Sequence, residues 1–147
     1  ENLAAIAGFG AAATEALEQL WQIGLLRTMR DRLEDEIIAL APDAVFFSRQ
    51  AERLANTSFF AIPGVKAETA QIAFDLAGVA LSAGSACSSG KVGPSHVLKA
   101  MGYENTDGAL RVSIGRTTTE EDLALFRTAL TSILARSGER AKAACAA

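Results

Sequence analysis

Histidine is almost missing from this sequence, with His96 standing alone, and cysteine is scarce, with only Cys87 and Cys145. Those groups are too few and too scattered for the short ligand spacing of a zinc site, so no metal centre is expected. Cysteines this far apart, one of them in an alanine-rich tail, do not form a disulfide framework. Aromatic residues make up only 6% of the chain. The abundant alanine predicts helices packed closely through small side chains. Basic charge is not in excess either: 14 lysines and arginines face 17 acidic residues. That balance argues against a nucleic-acid groove or an anionic membrane as the main partner. No apolar run approaches the roughly 20 residues that span a bilayer. No charged-then-apolar signal segment opens the chain. The expectation is a cytoplasmic protein. A start at Glu1 without methionine, followed at once by helix, points to a piece of a longer protein.

What is present is a clear organisation. At 147 residues the chain is long enough for one domain with a real core. From Leu3 to about Leu40 apolar residues recur at steps of three and four, which predicts one long helix with a kink or break near Gly24. Such a helix is longer than a small domain is wide and suits a link between two domains. Short strands are expected at 44–48 and 57–62, and Pro63-Gly64 reads as a turn. Residues 68–78 read as a helix with Ile72, Ala73 and Leu76 inward and Gly78 as its stop. A strand at 79–82 then leads into Gly84-Ser85-Ala86-Cys87-Ser88-Ser89-Gly90, and a short helix follows from Pro94 to Gly102. Leu110-Arg111-Val112-Ser113-Ile114 alternates, placing Arg111 and Ser113 on the face opposite the apolar one. Thr118 and Thr119 before Glu120, Glu121 and Asp122 form a capping-box start for a last helix through about Ala135. The division expected is a linking helix at 1–42, a small domain at 43–136 with a cysteine loop at 82–93, and a flexible tail at 137–147.

Three groups could carry chemistry. Cys87 lies among glycines and small polar residues, so it reads either as a reactive thiol or as a small buried filler. Arg111 reads either as a solvated edge residue or as a fork for a substrate carboxylate, with Arg116 a competitor for that role. His96, in the first turn of a short helix, reads as a surface residue. No arginine lies near Cys87, which excludes a cysteine-dependent phosphatase loop. Lys91 sits at the wrong offset for a phosphate-binding glycine loop.

At these residues the chain resembles a known family. Ser82-Ala83-Gly84-Ser85-Ala86-Cys87-Ser88-Ser89-Gly90, followed by Pro94-Ser95-His96-Val97-Leu98, resembles the active-cysteine segment of the cysteine desulfurases, class V aminotransferase relatives within the fold-type I pyridoxal-phosphate enzymes. Leu110 to Arg116, with Thr118-Thr119-Glu120-Glu121, resembles the family's substrate-arginine strand and closing helix, and Glu1-Asn2 with Ile6 to Gly10 resembles the start of its interdomain helix.

The resemblance implies an α/β architecture: an α+β sandwich in which a long linking helix precedes a small, mostly antiparallel sheet covered by helices. It implies conversion of L-cysteine to L-alanine with pyridoxal phosphate as cofactor, Cys87 carrying the sulfur as a persulfide and Arg111 binding the substrate carboxylate. A homodimer and a sulfur-acceptor or iron–sulfur scaffold protein are the implied partners. The family's Schiff-base lysine follows a histidine; here His96 is followed by Val97, so no cofactor-binding residue is expected in this chain. The resemblance therefore implies the C-terminal small domain, inactive when isolated. The alternatives are a selenocysteine or cysteine-sulfinate lyase of the same family, or a non-catalytic thiol or interaction domain derived from it.

Overall fold

In the computed structural model, residues 1–84, 95–105 and 107–145 are described. Two helices open the chain, α1 (Leu3–Glu18) and α2 (Gln22–Leu40). The expected break is real but lies at Gln19–Trp21 rather than at Gly24, which sits inside α2. There Gln19 and Leu20 donate to the carbonyls of Ala16 and Leu17, each at 3.3 Å, so the α1 ladder tightens and stops. The Asn2 side chain caps the start of α1 by accepting from the Ala5 amide.

Strands β1 (Val45–Phe46), β2 (Thr57–Ala61), β3 (Ser82–Ala83) and β4 (Leu110–Ser113) form a sheet in the order β1-β2-β4-β3, every neighbouring pair antiparallel. Between them lie α3 (Ala67–Leu76) and α4 (His96–Ala100), and α5 (Glu120–Cys145) closes the chain. The helix-plus-antiparallel-sheet architecture implied by the resemblance is thus present. Gly78 and Gly102 follow their helices at φ of 83° and 81°, the left-handed conformation that ends a helix most readily when no Cβ is present. The capping box forms between Thr119 and Asp122, each amide donating to the other's side chain at 2.8 and 3.2 Å. The last helix does not end near Ala135; it continues to Cys145.

The alternation along β4 decides which face is which. Leu110 and Ile114 are buried beside Phe60, in a core completed by Leu33 and Ile37 of α2, Phe74 of α3 and Phe126 and Leu130 of α5. Phe74 and Phe126 stack at 5.0 Å between centroids, fastening α3 to α5. In α3 the buried residues are Ala67, Ala70 and Phe74, not Ile72 and Leu76, which are 63% and 84% exposed. The helix carries two apolar stripes, and the one containing Phe74 faces α5. On the other side of the sheet a smaller cluster gathers Phe47, Phe59, Ala61, Leu98, Tyr103 and Ala109. Phe47 meets Phe59 and Tyr103 at 5.1 Å each, the latter edge-on. The polar face of β4 is therefore open at one end and roofed by α4 at the other.

Candidate functional site

Strand pairing sets the position of Arg111. It stands directly opposite Phe59 of β2 and Ser82 of β3, and residues in register project to the same face. Burial of Leu110 and Ile114 on the core side turns Arg111 outward, where it is exposed, as the alternation predicts. Its Nη2 donates to the Ser82 hydroxyl at 3.3 Å. Ser113 shares that face and is exposed, opposite Thr57. Arg116, the competitor, is engaged elsewhere: its Nη1 reaches the Gln19 side-chain oxygen and lies 3.5 Å from Glu15, holding the end of α1 against the turn after β4. Of the two arginines, Arg111 is the one that faces outward from the sheet without a carboxylate partner among the described residues.

Cys87 lies outside the described residues, as does most of the 82–93 loop. The chain is described up to Gly84, whose amide donates to the Ala109 carbonyl at 3.0 Å, and again from Ser95. The Ser95 hydroxyl accepts from the Leu98 amide and caps α4, so the helix is fixed from its first residue. His96 is exposed in that first turn, which accords with a surface residue. Gly84 and Ser95 both line a cavity of about 690 Å³ whose other walls include Lys66, Lys99, Glu104, Asp107 and Tyr103. Arg111 is not among its lining residues.

Tyr103 is a feature of this cavity that the sequence did not signal. Its hydroxyl is buried and has no hydrogen-bond partner among the described residues. Burial raises the phenol's pKa above the ordinary tyrosine range, and the negative charge of Asp107 adds to the rise. A buried carboxylate, Glu34, was equally unmarked. It is fully enclosed, bound by Arg53 and Ser58 and approached by Arg49, which ties α2 to β2 and to the loop between β1 and β2. Its company is structural: the residues around it are core and ion-pair partners.

Pyridoxal phosphate does not fit the described residues. A Schiff-base lysine must lose its hydration to react as a neutral amine, whereas Lys66 and Lys99 are both exposed. Glu68, Glu104 and Asp107 outnumber these lysines around the cavity, a balance that disfavours a phosphate. Among the described residues no group of three or more histidines, cysteines and carboxylates is placed to hold a metal ion.

The family profile described as Aminotransferase class-V matches residues 1–126. The cysteine desulfurase NifS of Azotobacter vinelandii is 38% identical over 126 residues, covering 84% of this chain and 31% of that protein. Cysteine desulfurase IscS 1 of Archaeoglobus fulgidus is 35% identical over 140 residues, covering 92% of this chain and 36% of that protein. Among solved structures, a NifS-like protein from Rickettsia africae superposes with a TM-score of 0.78 at 29% identity, over 91% of this chain and 35% of that one. The chain thus spans about a third of the length of the curated relatives it matches.

Proposed function

Because the chain belongs to the class-V aminotransferase family, we propose that it is the sulfur-accepting part of a pyridoxal-phosphate-dependent cysteine desulfurase. The observation that supports this most is the family match across residues 1–126, a range that includes both Cys87 and the strand bearing Arg111. Arg111 binds the carboxylate of L-cysteine through its planar, always-charged fork. Cys87 accepts the substrate's sulfur. The carbon–sulfur bond of L-cysteine breaks, a sulfur–sulfur bond forms on Cys87, and hydrogen replaces sulfur on carbon. L-cysteine plus a thiol becomes L-alanine plus a persulfide, so no external oxidant is needed. When bound in the whole protein, pyridoxal phosphate supplies the electron sink for this cleavage.

The rest of the whole protein carries the cofactor lysine, and the 147-residue chain alone is inactive. The whole protein acts as a homodimer in the cytoplasm and passes its sulfur to an iron–sulfur scaffold protein. Among the described residues no helix is long and apolar enough to cross a membrane.

The test is Cys87→Ser in the whole protein. A hydroxyl cannot hold the transferred sulfur, so the variant keeps its bound cofactor and its Tm but makes no alanine from cysteine. Mass spectrometry of the parent finds one added sulfur on the Cys87 peptide, and Cys145→Ser behaves like the parent. Normal turnover by Cys87→Ser, or sulfur mapping to Cys145, overturns the assignment. Turnover of selenocysteine in preference to cysteine reassigns the substrate.

A further inference from the structure

Among the described residues, Arg111 is paired with a hydroxyl where six other arginines are paired with carboxylates. Arg30, Arg32, Arg49, Arg53, Arg116 and Arg127 each pair with a carboxylate. Arg111 instead donates from Nη2 to the hydroxyl of Ser82. A hydroxyl orients a guanidinium without neutralising it, so the charge stays available for an anion. The opposite neighbour in the sheet is Phe59, whose ring offers no side-chain acceptor. An exposed arginine samples many rotamers, and each must be given up when a ligand is bound in one of them. A partner that already holds one Nη removes part of that cost and leaves the other donors of the fork free.

We propose that Ser82 is a positioning residue for carboxylate binding, holding the Arg111 guanidinium across the β3–β4 pair. The proposal rests on the reading of Arg111 as the carboxylate fork. Antiparallel register places Ser82 opposite Arg111, and β3 comprises only Ser82 and Ala83. The hydroxyl therefore comes from the strand that leads directly into the Cys87 segment, and the sequence alone offers no sign of the pairing.

The experiment uses the whole, cofactor-loaded protein and follows alanine formation against L-cysteine concentration. Ser82→Ala raises KM by about fivefold, the scale of one modest hydrogen bond, with kcat little changed. Ser82→Thr, which keeps the hydroxyl and suits a strand, restores the parent KM. In an Arg111→Ala background Ser82→Ala adds nothing, because the group it positions is gone. An unchanged KM, a fall in kcat at constant KM, or a full effect in the Arg111→Ala background each overturns the proposal. Rotation of the Arg111 guanidinium about its Nε–Cζ bond, followed by nitrogen-15 NMR, gives a readout independent of turnover. It quickens in Ser82→Ala and not in Ser82→Thr. If the rotation responds in this way but no alanine forms in the parent, the positioning stands and the desulfurase reading fails. If alanine forms and neither rotation nor KM responds to Ser82→Ala, the desulfurase reading stands and the positioning fails.

Discussion

Both Nη atoms of Arg53 donate to the carboxylate of Glu34, at 2.5 and 2.7 Å, joining the loop before β2 to the middle of α2. Glu34 is fully buried, and the Ser58 hydroxyl donates to the same carboxylate at 2.7 Å. Removing one member of such a pair strands the other charge, which costs more than the pair itself contributes. Arg53→Ala is therefore expected to destabilise the fold by about 3 kcal/mol, and a Glu34→Leu/Arg53→Met double variant by less than Arg53→Ala alone. Urea unfolding of both variants decides it; a double variant worse than the single would show the pair to be a net stabiliser. The hydrogen bond to Glu34 raises the pKa of Arg53 above the ordinary arginine range. Its contribution is accordingly complete below that range and is lost only as pH rises through the raised value, so it is constant across neutral pH.

Tyr103 is the single tyrosine of the 147-residue chain, so in that chain absorbance of the phenolate reports it alone. Its titration midpoint should lie above the ordinary value of about 10, because burial and then Asp107 disfavour the phenolate. Stability linked to this group is present below the ordinary value and declines as pH rises towards the shifted one. Tyr103→Phe removes a buried hydroxyl without a partner among the described residues, so the variant should be as stable as the parent or more so by up to about 1 kcal/mol. A clear loss of stability would mean that the hydroxyl is satisfied by a group outside the described residues.

Gly108 and Gly102 separate backbone strain from a steric contact. Both have φ near 80°, at 78° and 81°. A Cβ at Gly108 would stand 3.1 Å from that of Ala67, while nothing among the described residues lies within 4 Å of one at Gly102. Each change to alanine should cost about 1–2 kcal/mol of backbone strain. Gly108→Ala should cost more, because the Ala67 amide also donates a hydrogen bond to the Asp107 carbonyl at 2.7 Å, so Ala67 cannot retreat freely. Equal Tm values for the two variants would show that the contact relaxes.

Arg111→Ala in the whole protein should lower kcat/KM for cysteine by the equivalent of about 2–4 kcal/mol, the worth of a charge-assisted carboxylate contact. The cofactor spectrum should not change, because Arg111 is exposed on the sheet. An unchanged specificity constant would remove Arg111 from the site. Arg116→Ala should instead loosen the end of α1 through its lost contacts with Gln19 and Glu15.

Local chemistry made part of this molecule readable. Alternation over Leu110–Ile114 assigned the outward face to Arg111 because a pleated strand admits only two faces. Gly78 and Gly102 marked helix ends because few other residues adopt positive φ cheaply, and Thr119 with Asp122 marked a helix start because side-chain oxygens can satisfy the first amides. Long-range partners decided the rest. Whether Phe74 or Ile72 faced inward depended on Phe126, more than 50 positions away, since α3 carries two apolar stripes and periodicity ranks neither. The burial of Glu34 depended on Arg53 and Ser58 arriving from a different layer, and one glutamate among the acidic residues of a charged helix carries no mark of that. The hydroxyl beside Arg111 was likewise fixed by the register of β3 on β4, because pairing between strands this far apart is settled by the assembled sheet and not by either strand.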